Sequence, residues 1–402
     1  MSKYFANFHI QNNECNFSLI KNTYENYLNV KFPIQQQINF ENINDFILWH
    51  QDVINNIKDI IKKEKLVLNY VFDDELFQNL EQKIIVNKLN CQSISCDSAT
   101  LSKLFDEKNT TLKQANVIED FITTSPINYL MQNNEIIKEY KSIPSNRIAQ
   151  NITQYLSIFK TNLNIAQLND FKAAFKHDLN NCEINYFLRT QVLANGLKQN
   201  PNASLLVDLQ PNYIAFSVVK NGAILSYKKI AKGFKSLDIA SQGNLSKIKY
   251  LINSQKNDTN MSQDEEMLFD ANKLASYHNE FKTMLFNSLS QYIALSFKNP
   301  LINNLNHIAF TGQFAWMVKD IEQTFFSLYN KNNMSVSILA NNNNFKLFEL
   351  DDKILEQVVI ATNNQQIEMV QNNTVTSKID YTHQKSKHSA FTRFINKFNL
   401  FK

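Results

Sequence analysis

The chain has 402 residues, 44% of them apolar, and a formal net charge of +4. That length exceeds one ordinary domain and that apolar share supports packed cores, which excludes a disordered chain and predicts two or more units. Basic and acidic residues are mixed along most of the length, unlike the basic stripe of a dedicated nucleic-acid binder. No apolar run approaches the roughly 18 residues of a membrane-spanning helix.

Residues 4–10 and 15–20 predict two short strands around the polar turn Gln11-Asn12-Asn13-Glu14. Asn44 is the expected N-cap of a helix to about Lys65. Phe46, Ile47, Val53, Ile54, Ile57, Ile60 and Ile61 recur along it mostly at three- and four-residue spacing. Leu66–Phe72 and Lys83–Val86 read as strands. Residues 87–162 are polar and broken in pattern, with strands expected in Ile127–Leu130 and within Ile148–Leu163, and a loop at Pro144. A helix is expected from about Asn164 to Leu179, and a second segment, Tyr186–Leu197, closes near Gly196 as a helix stop.

The clearest strand signal lies in residues 204–231. Ser204–Leu209, Tyr213–Val219 and Ala223–Ile230 read as three strands, and Asn221-Gly222 is a strong hairpin turn between the last two. Residues 253–266 read as a polar loop and Met267–Phe297 as a long helix. Then come a strand His307–Thr311 ending at Gly312, a helix Trp316–Leu328, a strand Val336–Leu339 and a helix Ile354–Ala361. From about Asn363 to Lys387 the pattern is that of a polar linker. No internal repeat has solenoid spacing.

Recognisable catalytic or metal-binding constellations are missing from the pattern. Cys15, Cys91, Cys96 and Cys182 are scattered, as idle thiols in a reducing compartment are. The seven histidines show no metal spacing, and neither a Walker loop nor a Gly-x-Ser-x-Gly elbow occurs. The N-terminal residues lack the apolar core of a secretory signal. Glycine is scarce: Gly196, Gly222, Gly233, Gly243 and Gly312 are all there are, where average usage would give about 28. Loops that bring backbone N–H groups up to a phosphate usually need glycine, so phosphate cradles are not expected to be plentiful.

At the other end, Phe391, Phe394, Ile395, Phe398 and Phe401 form one helical stripe. Thr392, Arg393, Asn396, Lys397, Asn399 and Lys402 fill most of the opposite side, and no acidic residue follows Asp380. Rings on one face and cations on the other describe an interfacial helix, its rings in the acyl boundary and its cations on anionic headgroups. The expectation is a soluble cytoplasmic protein that grips a membrane reversibly through residues 389–402, reached by a linker over 363–388.

Three segments carry a resemblance. The meander at 204–231 holds Asp208 at the end of its first strand; residues 307–321 read strand, Thr311-Gly312 turn, helix; and the two N-terminal strands with their helix look like a worn copy of the first half. Together with the basic tail, these resemble the bacterial cell-division family FtsA within the actin-like ATPase superfold, over essentially the whole chain. The resemblance implies an α/β fold of two related lobes, a first lobe of 1–86 and 163–203 and a second of 204–232 and 306–362. It implies an inserted small subdomain at 87–162, and at 233–305 a subdomain that receives the C-terminal peptide of the tubulin-like protein FtsZ, with Lys247, Lys249, Lys273 and Lys282 as candidate contacts. The tail residues Phe391, Arg393, Phe394, Ile395, Lys397, Phe398 and Phe401 would be the membrane-targeting helix. By the same resemblance Asp208, Thr311 and Gly312 would be what remains of a site for ATP and magnesium. The family's glycine-rich second phosphate loop reads Gln210-Pro211-Asn212-Tyr213 after Asp208-Leu209 here, and its first reads His9-Ile10-Gln11-Asn12. Nucleotide binding is therefore expected to be weakened and the protein not to be an enzyme. The implied role is a scaffold that self-associates and tethers FtsZ filaments, with other division proteins, to the cytoplasmic face of the inner membrane at the division site. A scaffold like the pilus-assembly protein PilM, or an active ATPase of the same superfold, are the alternatives.

Overall fold

The computed structural model describes residues 3–23, 26–61, 64–91, 97–115, 125–134, 136–144, 149–161, 182–198, 203–235, 305–315, 335–338, 350–367 and 375–377, together with scattered residues of 279–292. The chain divides into two compact units. One gathers Met1–Pro201, Val219–Ser226 and Asp351–Thr382; the other gathers Asn202–Val218 and Tyr227–Leu350.

The first unit is built on a sheet of β1 (Lys3–Ile10), β2 (Glu14–Thr23), β3 (Asn26–Asn29), β4 (Gln37–Asn39), β5 (Lys65–Phe72) and β10 (Cys182–Leu188). Its order is β10-β5-β1-β2-β3, with β4 on β2. β2 runs antiparallel to β1, and β5 and β10 run parallel to it. Side chains alternate between the two faces. One face is aromatic: Phe8 stacks on Tyr70 at 5.1 Å between ring centroids and meets Phe17, Trp49 and His50. Helix α1 (Ile43–Ile61) covers that face with Phe46, Trp49, His50, Val53, Ile54 and Ile57; Trp49 and His50 join the expected stripe, while Ile47 and Ile60 are only half-buried. Its cap is Asn42 rather than Asn44: the Asn42 side chain accepts from the N–H groups of Asn44 and Asp45 at 2.9 and 3.2 Å, satisfying donors that a helix start leaves open.

Between β5 and β10 the chain forms a second, antiparallel sheet of β6 (Leu80–Asn90), β7 (Ser125–Asn133), β8 (Ile136–Tyr140) and β9 (Asn151–Thr161). Its order is β16-β8-β7-β9-β6, where β16 is Val375–Ser377. Helix α2 (Ser98–Ala115), capped by the Asp97 carboxylate on the N–H of Thr100, lays Leu101 and Phe105 against Leu89, Tyr129, Met131, Tyr140 and Ile152. The sheet begins at Leu80, seven residues before the expected start of the insert, because β6 pairs with β9 in unbroken register from Leu80 to Asn90.

After β10 comes α3 (Arg189–Asn195), so the expected segment Tyr186–Leu197 is a strand end followed by two helical turns. A further sheet is formed by β11 (Ala203–Leu209), β12 (Ile214–Lys220), β13 (Ala223–Ile230), β14 (Leu305–Thr311) and β15 (Ser335–Ile338), in the order β13-β12-β11-β14-β15. Asn221 and Gly222 both have positive φ, 54° and 79°, the signature of a two-residue turn matched to strand twist. β14 is parallel to β11, and β15 to β14.

The two principal sheets share one plan. In each, the first strand is followed outward by two consecutive strands on one side and flanked on the other by two later strands parallel to it. This duplicated order is the actin-like fold, in agreement with what the resemblance implied.

Helix α4 (Leu350–Ile367) corrects two expectations. It belongs to the first unit, not the second lobe, because Val359 packs on Phe5, Ile20 and Val67. It also runs to Ile367, and β16 follows it, inside what read as a featureless linker; a three-residue strand carries no periodicity to detect. The expected helices 164–179 and 316–328 and the loop 253–266 lie outside the described residues. So does most of the helix expected over 267–297, although its described residues, such as Leu285 and Leu289, are helical.

Candidate functional site

Parallel pairing of β11 and β14 sets Asp208 level with Thr311, so the three residues singled out in the sequence, Asp208, Thr311 and Gly312, meet at one end of the sheet β13-β12-β11-β14-β15. Gly312 has φ +97°, a conformation that side chains rarely adopt. A Cβ there would lie 2.3 Å from the Leu209 carbonyl oxygen and 2.6 Å from Asp208 Oδ1. Glycine is thus demanded by both backbone angle and space. The Phe314 N–H donates to the Leu209 carbonyl at 3.1 Å, closing the turn over the end of β11.

The Asp208 carboxylate is buried, and its own chain supplies a partner. Gln210 Nε2 donates to Asp208 Oδ1 at 2.7 Å, and Gln210 is buried as well. Beyond it the turn is committed to internal bonds. The Gln210 N–H donates to the Tyr213 carbonyl, Pro211 has no N–H, and the carbonyls of Gln210 and Pro211 accept from Phe234 and Lys235. Gly233 packs so closely that a Cβ would lie 2.2 Å from the Pro211 carbonyl oxygen. A magnesium triphosphate needs converging backbone donors and a carboxylate open to the ion. Here the side chain next to the carboxylate occupies it, and the turn holds a proline where a donor would be. These residues do not fit the group.

The equivalent end of the first sheet was not foreseen as a cluster. Asp73 follows β5, and its N–H donates to the Ile10 carbonyl, bringing it beside the end of β1. His9 Nε2 stands 3.7 Å from Asp73 Oδ2 and Arg189 Nε 4.0 Å from the same oxygen, all three groups buried. At 3.7 Å the His9 contact is longer than an ordinary hydrogen bond. Asp73 Oδ1 accepts from the Glu75 N–H at 2.9 Å, capping a one-turn helix at Asp74–Leu76. Burial by itself raises the Asp73 carboxyl, but His9, the Arg189 guanidinium and the Glu75 N–H outweigh it and hold the group below its ordinary value. Where the resemblance implied a first phosphate loop, this chain places a compensated internal charge cluster. Arg189 carried one signal that could have found it: it is one of only three arginines in the sequence, with Arg147 and Arg393, and it directly follows an apolar strand.

The FtsZ-peptide candidates Lys247, Lys249, Lys273 and Lys282 and the tail residues Phe391, Arg393, Phe394, Ile395, Lys397, Phe398 and Phe401 lie outside the described residues. Among the described residues no group of three or more His, Cys, Asp or Glu is placed to hold a metal ion, and no helix is long and apolar enough to cross a membrane.

No protein-family model matches the sequence, and no curated protein matches it. Solved structures similar to the chain include a PilM-PilN type IV pilus biogenesis complex, at 7% identity over 91% of this chain and 98% of that one with a TM-score of 0.43. Another is MreB5 of Spiroplasma citri bound to ADP, at 8% identity over 91% and 98% with a TM-score of 0.39. A third is a Bacteroides thetaiotaomicron protein described as having an actin-like ATPase fold and unknown function, at 8% identity over 88% and 95% with a TM-score of 0.30. At such identities and scores it is the duplicated strand order, rather than these likenesses, that carries the fold.

Proposed function

We propose that this chain is a non-catalytic scaffold of actin-like fold, held at a membrane by its basic aromatic tail and joining a filament to that surface. The observation that carries the reading is the Gln210 amide seated on Asp208, which fills with the protein's own atoms the place where a nucleotide-hydrolysing relative would hold an ion. A fold that keeps its two lobes while its phosphate-side turns are closed serves better as a rigid platform than as an engine. The tail supplies the surface: five apolar residues on one stripe and basic residues opposite suit anionic lipid, each cation contributing on the order of 1 kcal/mol.

The specific form of the proposal is a division scaffold. Its partners are the acidic, partly apolar C-terminal peptide of FtsZ, other copies of itself, further division proteins and anionic inner-membrane lipids, and its place is the cytoplasmic face at the division site. Co-sedimentation with anionic vesicles and FtsZ tests it, with the full chain compared with one ending at Ser389. The full chain brings FtsZ down with the vesicles and the shortened chain leaves both in solution. Equal lipid binding by the two would sink the anchor. Lipid binding without FtsZ would keep the scaffold and transfer it to another partner, such as the assembly platform that a PilM-like protein serves.

A further inference from the structure

Strand β13 is the outermost strand of its sheet among the described residues. The two-residue turn before it, Asn221-Gly222, makes Lys220 and Ala223 a hydrogen-bonded pair, and the ladder alternates from there. The N–H and C=O groups of Leu225, Tyr227 and Lys229 therefore face β12, and those of Ile224, Ser226, Lys228 and Ile230 face outward. One contact agrees with this: the Ile224 carbonyl accepts from Gln82 Nε2, of another sheet, at 3.0 Å. Further along, no strand lies beside the outward groups of Lys228 and Ile230 among the described residues. The same stretch is basic. Between Asp208 and Asp238 there are five lysines and no acidic residue. Lys220 pairs with Glu139 at 3.2 Å, and Lys229 lies over the Tyr213 ring at 5.9 Å. Lys228, Lys232 and Lys235 enter no ion pair among the described residues, and Lys232 and Lys235 are exposed just past the end of the strand.

We infer that the outer edge of β13 is a docking site for an extended acidic segment of a partner protein, which adds to the sheet as one more strand. Backbone groups left open along an edge select an extended polypeptide, since nucleic acids and lipid headgroups carry no donors and acceptors at strand spacing. The lysines select its charge. They also exclude a second copy of this chain as the occupant. Centred on the open stretch, antiparallel pairing of two such edges sets lysine against lysine, and like charges directly opposite destabilise a sheet. Because Lys232 and Lys235 follow the strand, the acidic residues of the segment gather at the end beside Ile230, and β-branched residues suit the rest. These lysines are not those proposed for the FtsZ peptide, and the inference holds whether or not the tail meets a membrane.

The experiment uses the full chain and a fluorescent synthetic peptide in which valine and threonine alternate and glutamates fill one end, read by anisotropy and by amide exchange. A control peptide is N-methylated at its central amides, which removes strand donors on both of its edges. Ile230→Pro takes away one outward N–H and leaves the β12 ladder whole. Lys232→Glu combined with Lys235→Glu reverses the charge past the strand. Urea midpoints equal to that of the parent chain establish that both variants are folded. The parent chain is expected to bind the peptide, with slower exchange at Lys228 and Ile230, and each variant to bind at least about tenfold more weakly. The methylated peptide is expected not to bind. Equal binding of the methylated peptide, or of an oligonucleotide of the same charge, reduces the lysines to a general anion patch and overturns the added strand. Absence of binding by the parent chain, or slowed exchange confined to other residues, overturns it as well.

Discussion

At the scale of single residues, two positions concentrate strain and charge. Gly312 combines a positive φ with a would-be Cβ contact of 2.3 Å to backbone. Gly312→Ala is expected to cost about 2–4 kcal/mol in urea unfolding, since neither the turn nor the Leu209 carbonyl has room to give. Arg189 compensates a buried carboxylate, and removing one member of such a pair leaves the other charge stranded. Arg189→Ala is therefore expected to cost about 3–5 kcal/mol by the same measurement. The Asp73 carboxyl, held low in the folded chain, contributes stability that is fully present above its unfolded value of about 4 and is lost as pH falls through the lower folded value. Asp73→Asn should therefore flatten the acid limb of the stability–pH profile while lowering stability at neutral pH. An acid limb identical to that of the parent chain would show that Asp73 is not the group responsible.

At the scale of elements, one rung of the first sheet is polar where a core is expected to be apolar. Ser18, Asn7, Asn69 and Asn185 lie side by side on four adjacent strands. Asn7 Nδ2 donates to Ser18 Oγ, Asn69 Nδ2 to Asn7 Oδ1 at 2.8 Å, and Asn185 Nδ2 to Asn69 Oδ1 at 3.2 Å. From α4, the Thr362 hydroxyl lies within bonding distance of both Asn69 Oδ1 and the Val358 carbonyl. Buried amides that satisfy one another fix strand register, and here they also fix where the last helix sits. Asn69→Ala orphans partners on two strands, and a loss of about 2–4 kcal/mol is expected in chemical denaturation. Thr362→Val costs less, because its backbone acceptor has no other need of it. Combined in a double-mutant cycle, the two should couple by at least about 0.5 kcal/mol; strict additivity would mean that α4 is held by Val359 and its apolar neighbours alone.

At the scale of the whole molecule, the duplicated sheet order and the closed turn at Asp208 predict how the protein answers nucleotide. A ligand that binds the folded state at a hundred times its dissociation constant stabilises it by about 2.7 kcal/mol. Millimolar ATP with magnesium should leave the melting temperature unmoved, because Gln210 already satisfies Asp208 and Pro211 offers no donor. A clear upward shift that needs magnesium would overturn the closed-turn reading and revive an ATPase.

The sequence by itself determined the meander at 204–231, its Asn221-Gly222 turn and most of the apolar stripe of α1. Each of these is written in neighbouring residues, through alternation, helical spacing or turn chemistry that acts over a few positions. It also showed the missing phosphate-loop glycines. Only the tertiary structure decided that Gln210 turns back onto Asp208, that Asp73 and Arg189 meet 116 residues apart in number beside His9, and that α4 packs on the first sheet. It alone placed residues 375–377 on β8. Those contacts join positions far apart in the chain or hang on one side-chain rotamer, and neither leaves a period for a local reading to find.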